Sequence, residues 1–170
     1  MLTLLCASGW VTAQQSYRVV AVEVEGNRVV SKSLILGVSS IVEGELLTQT
    51  AVSETICRLY GLGIFSDVKI EAEEITGGLK VYIVVKELPK LSGLQFSGNK
   101  KIKTKDLKEK LGLGVGGYIS PYLIEKKRNE IYKMYAEKGY FQAEIIPLLD
   151  YNADSSEAVL KYRIIEKSKV

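Results

Sequence analysis

Apolar and polar residues alternate from Tyr17 to Glu25, with Val20, Val22 and Val24 on one face and Val19, Ala21, Glu23 and Glu25 on the other. That is the period of a half-buried strand. Gly26-Asn27 supplies turn chemistry after it, since both residue types tolerate positive φ. Ser31 to Val38 then reads as a short helix with Ser31 as its cap, and a longer helix starts near Thr48 beyond the loop Glu43-Gly44-Glu45. Its buried stripe is Val52, Ile56 and Leu59, and Gly61 and Gly63 end it. Strand alternation returns over Ser66 to Glu74, where Val68, Ile70 and Ala72 interleave with Asp67, Lys69, Glu71 and Glu73. Thr76-Gly77-Gly78 makes a hairpin turn, and Leu79 to Glu87 comes back with Val81, Ile83 and Val85 inward. The predicted order is β-α-α-β-β.

The same order then repeats. Lys86 to Asn99 closes the first unit and opens the second: the alternation running into Gly98-Asn99 echoes Val22 to Asn27, and Val84-Val85-Lys86-Glu87 finds its echo in Ile164-Ile165-Glu166-Lys167. Leu94 and Phe96 take the places of Val22 and Val24, and Leu160, Tyr162 and Ile164 those of Val81, Ile83 and Val85. Thr104 caps a lysine-rich helix, Gly112 to Gly117 forms the loop between helices, and Ser120-Pro121 starts a longer helix with apolar positions Ile124, Ile131, Met134 and Tyr135. Gly139-Tyr140-Phe141 stands where Gly63-Ile64-Phe65 stood. Pro147 lies inside the penultimate strand, which must therefore be an edge, because proline cannot donate to a ladder on both sides. The fold class is α+β, with two three-stranded mixed sheets each packed on two helices. The boundaries are a leader at residues 1–15 and modules at 16–88 and 89–168.

Each module is small, so a surface contact is expected rather than an enclosed active site. Residues 1–13 carry no charge and end in Val11-Thr12-Ala13, the small-residue pattern of a cleaved secretory signal without the usual positive start. Cleavage would leave Cys57 as the only thiol, a small core residue on its helix rather than half of a disulfide. The modules differ in charge: seven basic and ten acidic residues over 16–88 against sixteen and ten over 89–170. Lys100, Lys101, Lys103, Lys105, Lys108, Lys110, Lys126, Lys127 and Arg128 supply much of that excess, a candidate patch for an acidic partner beside the plainer reading of a solvated face.

Histidine is absent from the chain, which removes imidazole bases and ligands and, with them, most hydrolase mechanisms. The chain is read as no enzyme, with no cofactor and no metal. Gly112, Gly114 and Gly117 match a dinucleotide fingerprint in spacing but follow a helix instead of a strand. Gly114-Val115-Gly116-Gly117 resembles the GXXG loop of KH domains, which clamp single-stranded nucleic acid. Against that, the equivalent first-module loop, Glu43-Gly44-Glu45, is acidic where phosphate would sit, so no nucleic-acid partner is expected.

Gly26-Asn27, Gly63-Ile64-Phe65, Glu87-Leu88-Pro89, Gly98-Asn99 and Gly139-Tyr140-Phe141, in this order and spacing, resemble tandem POTRA domains of BamA-type outer-membrane assembly factors across nearly all of residues 16–168. The resemblance implies a periplasmic arm that binds unfolded outer-membrane polypeptides and partner subunits of the assembly complex. A C-terminal barrel embedded in the outer membrane would insert those clients. Residues 1–170 hold no barrel and read as an N-terminal fragment. Two-partner-secretion transporters carry two such modules as well, and are the alternative. The candidate client site is the exposed penultimate strand of the first module, Val68, Lys69, Ile70, Glu71 and Ala72, with the second module's Gln142 to Leu149 handicapped by Pro147.

Overall fold

The computed structural model describes residues 17–169, so the expected leader lies outside the described residues. The first module runs β1 (Val19–Glu25), α1 (Lys32–Val38), α2 (Gln49–Gly61), β2 (Phe65–Ile75) and β3 (Gly78–Glu87). The second runs β4 (Lys90–Ser97), α3 (Thr104–Leu111), α4 (Pro121–Glu137), β5 (Glu144–Tyr151) and β6 (Glu157–Ile165). The sheets have the orders β1-β3-β2 and β4-β6-β5. In each, the last strand lies in the middle, parallel to the first and antiparallel to the penultimate one. The parallel pair follows from the two helices, which supply the long crossover that a parallel connection needs.

One inner face of each sheet packs on its helices. Val81, Ile83 and Val85 are buried on β3, and Leu160, Tyr162 and Ile164 on β6, as the alternation requires. Ser31, Thr48 and Ser120 each cap a helix by accepting a backbone N–H. The second core holds two fully buried tyrosines whose hydroxyls are satisfied: Tyr162 donates to the Ile124 carbonyl and Tyr135 to Glu166 Oε1, both at 2.9 Å. Burial pushes both phenols above their ordinary pKa, with Glu166 adding to the effect at Tyr135.

Four local expectations are corrected. On β1 the inward residues are Val19, Val22 and Val24, and Val20 is exposed, because Val20 is an extra residue in a bulge between Val19 and Ala21. Ser92 is the corresponding extra residue on β4, between Leu91 and Gly93. Thr104 is the first residue of α3 rather than its cap; Lys103 holds the cap position without a side-chain hydrogen bond, and the Thr104 hydroxyl is turned to Asn99. Cys57 is exposed. It stands two residues from each of the buried Thr55 and Leu59, which puts it on the far side of α2. Phe141 is exposed although Phe65 is buried, since Tyr140 fills that end of the core edge-on to Tyr135 and a turn carries Phe141 outward.

A carboxylate closes each module, buried in the first and half-buried in the second. Glu87, 4% exposed at the end of β3, accepts the backbone N–H groups of Arg28, Val29 and Val30 at 2.7–3.1 Å. Glu166 is its counterpart beyond β6, accepting the Lys101 N–H at 2.7 Å. The Gly-Asn turns between them are alike: Asn27 and Asn99 donate to the carbonyls three residues on. Gly26 and Gly98 have positive φ and pass so close to the carbonyls of Val85 and Ile164 that a Cβ would fall about 2 Å from the oxygen. No side chain but hydrogen fits there.

The modules share a junction with no slack. Leu88 N–H donates to the Ile64 carbonyl of the first module, while the Pro89 carbonyl accepts from Ile119 of the second, at 2.9 and 3.0 Å. Arg28 reaches across to the Asp154 and Ser155 carbonyls in the β5–β6 turn. A cleft of about 550 Å3 remains beside Arg28, Leu88, Pro89, Ile119, Leu149 and Tyr151.

Two outcomes are expected. Burial pushes the Glu87 carboxyl up, but the three N–H donors and the Arg28 charge outweigh it and hold the pKa below the ordinary value. Its stabilisation is therefore complete above the ordinary glutamate range and lost as pH falls through the lower folded-state pKa. Glu87→Gln should cost about 2 kcal/mol at neutral pH and progressively less as the pH falls below the ordinary glutamate range, read by urea unfolding across that range. Arg28→Ala should leave both modules folded and broaden the distribution of inter-module angles in solution scattering, and a Gly-Ser insertion after Leu88 should broaden it further.

Candidate binding edge

Each three-stranded sheet has two outer strands, and the structure treats them differently. The outer edge of β1 is covered by the loop between the helices. Val19 N–H donates to the Glu45 carbonyl, Gly44 N–H to the Val19 carbonyl and Leu47 N–H to the Tyr17 carbonyl, at 2.8–3.0 Å. Further along, Val22 N–H donates to Glu43 Oε1 at 2.9 Å. The second module repeats the seal: Leu91 N–H donates to Gly117, Gly116 to Leu91 and Ile119 to Pro89. This settles what Gly114 to Gly117 does. Its Gly116 N–H, which a phosphate clamp would need, is spent on β4.

The outer edge of β2 has no such cover. Val68 N–H points away from β3, toward the Tyr60 hydroxyl at 3.2 Å. Because residues alternate between the two sides of an antiparallel ladder, the N–H groups of Ile70, Ala72 and Glu74 point outward too. The five residues singled out from the sequence, Val68, Lys69, Ile70, Glu71 and Ala72, thus lie consecutively on the uncovered strand. Of the three whose N–H groups point outward, Val68, Ile70 and Ala72, Val68 differs in having its own already taken. From Glu71 to Glu74 the strand is exposed on both faces, and Ile70 is half-buried over the core.

On β5 the same alternation gives a different edge. Asn152 N–H donates to the Glu157 carbonyl, which places Asp150, Leu148 and Ile146 on the inward side and Leu149, Pro147 and Ile145 on the outward side. Pro147 therefore removes a donor in the middle of the outward row. Leu148 and Tyr151 are exposed.

The lysine-rich face is not a uniform patch. Lys127 is paired with Glu130 at 2.9 Å and Arg128 with Glu125 at 2.7 Å. Lys110 and Lys133 join Lys127 along a cleft that also holds Glu130 and Glu137. Lys100, Lys101, Lys103, Lys105, Lys108 and Lys126 are exposed side chains without an ion pair among the described residues.

Sequence reasoning missed Glu87, Glu166, Tyr60 and Thr55. Thr55 is fully buried on α2, where its hydroxyl accepts from Ser40 N–H and donates to the Ala51 carbonyl. The recurrence of Glu near the end of both closing strands was visible, and the structural register aligns Glu166 with Glu87, as the core positions of β3 and β6 do and one residue from the echo of Val84 to Glu87 in Ile164 to Lys167. Among the described residues no three His, Cys, Asp or Glu side chains are grouped to hold a metal, and no helix is long and apolar enough to cross a membrane.

The comparisons with known proteins agree with this geometry. The chain is 22% identical over 149 residues to the outer membrane protein assembly factor BamA of Nitratidesulfovibrio vulgaris, covering 88% of this chain and 19% of that protein, so it spans about a fifth of its relative's length. Among solved structures, the N-terminal domain of Omp85 from Thermosynechococcus elongatus superposes with a TM-score of 0.60 at 20% identity, covering 91% of this chain and 64% of that one. POTRA1-2 of Omp85 from Anabaena superposes at 0.54 with 20% identity, covering 90% and 96%. The family model for POTRA, described as a surface antigen variable number repeat, matches residues 17–88 and again 89–167. The chain belongs to the POTRA family and carries two copies of its fold in tandem.

Proposed function

We propose that this chain is the periplasmic POTRA region of an outer-membrane β-barrel assembly factor, a binding module and not an enzyme, which receives unfolded outer-membrane polypeptides by strand addition to β2. The observation that carries the reading is the asymmetry of the first sheet, where β1 is sealed by its own loop and β2 presents a row of outward N–H groups. Such a row pairs with any extended backbone, whatever its side chains, which suits a receptor for many clients. The match to a BamA protein supports the assembly setting over two-partner secretion. Insertion of the client is assigned to a barrel elsewhere in the full protein, and the unpaired lysines from Lys100 to Lys108 to contact with acidic partner subunits.

The edge makes the reading testable in both directions. Ile70→Pro removes an outward donor without breaking a bond to β3, so a folded variant should lose about tenfold or more in affinity for extended outer-membrane peptides. Pro147→Val returns a donor to β5 and should strengthen peptide binding at the second module. Titration followed by amide exchange reads both. Unchanged affinity in folded Ile70→Pro, with no protection of the β2 amides on binding, would overturn strand addition.

A further inference from the structure

The uncovered edge also carries a charge pattern, and that pattern bears on which extended chains pair with it best. The side chains of Asp67, Lys69, Glu71 and Glu73 lie on the solvent face of β2, opposite the face that meets the helices. Asp67 and Lys69 form a pair at 3.5 Å and neutralise each other. Glu71 has no hydrogen bond or ion pair among the described residues, and Glu73 only accepts the Tyr82 hydroxyl at 3.1 Å. The one cation across the ladder from Glu73 is Lys80, and it is drawn the other way, to Glu23 of β1 at 2.9 Å. The sheet thus leaves two carboxylates at its open edge without a cation of its own.

We infer that β2 selects strands that alternate apolar and cationic residues, with Lys or Arg at two positions spaced i, i+2 against Glu71 and Glu73. This rests on the strand-addition reading and deepens it. Residues directly opposite on neighbouring strands interact with each other, opposite charges favourably and like charges unfavourably. A strand laid on β2 places one row of side chains beside Glu71 and Glu73. Its other row falls on the helix side, beside the half-buried Ile70, where an apolar group continues the existing layer, and the exposed Ala72. The register has a limit at each end. Tyr60 occupies the Val68 N–H, and the chain turns at Thr76-Gly77, so pairing runs along Ile70 to Ile75. Glu74 does not join the selecting pair, since it is on the helix side and holds the Tyr17 hydroxyl.

The experiment titrates the full chain with three short synthetic peptides of equal length, alternating Val-Lys, Val-Thr and Val-Glu, and follows amide exchange of β2. The Val-Lys peptide should bind about 3- to 30-fold tighter than Val-Thr at low salt, with Val-Glu weakest, and should protect the amides of Ile70, Ala72 and Glu74. In the double variant Glu71→Lys, Glu73→Lys the order should reverse in favour of Val-Glu. Equal affinities with those amides protected would overturn charge selection and leave strand addition standing. If no peptide protects the β2 amides, strand addition itself falls; a Val-Lys peptide that binds without protecting them, and binds the double variant as well, has been drawn to another part of the surface and overturns the inference.

Discussion

The structure depends on one carboxylate per module. Glu87 is a charge almost removed from water at the end of the central strand, a position that would be costly without partners. Three backbone N–H groups from Arg28, Val29 and Val30 compensate it, and those same groups would otherwise be unsatisfied where the chain leaves β1. The interaction ties the first strand's exit to the last strand's end, 59 residues apart. It also fixes Arg28, whose side chain then reaches the neighbouring module. Glu166 does the same in the second module with fewer backbone donors and one phenol, Tyr135, so the closure there is tied to helix α4.

From that closure follows the difference between the two edges of each sheet. Pairing the first strand parallel to the last forces the intervening helices to one face, and the loop joining them returns along the first strand's free side. It satisfies β1 and β4 through equivalent backbone bonds in both modules. The penultimate strand arrives by a hairpin and has nothing left in its own module to cover it. Exposed edges invite association, and charge or proline is the usual restraint. Here the modules diverge: β5 carries Pro147 in the outward row, and β2 carries carboxylates beside an unbroken row. Two copies of one fold thus differ in their open edges, one interrupted by proline and one not.

The element order, the two-module plan and the buried rows of β3 and β6 were legible in the sequence, because strict alternation on a strand and glycine at a turn report a local requirement on consecutive residues. Ser31 was legible as a cap, and Thr48 and Ser120 as helix starts, for the same reason. Tertiary structure decided the rest. Whether Val20 is inward depends on a bulge that the strand pairing imposes, Cys57 and Thr55 exchange places because the helix is rotated by what it packs on, and Phe141 is expelled because Tyr140 reaches the same space first. Glu87 and Glu166 looked like ordinary strand-end charges, since their donors come from the far side of the module. The sequence could show that an edge strand must exist from Pro147 alone; only the fold could show which edges are sealed, because the seal is made by backbone groups that carry no residue signature.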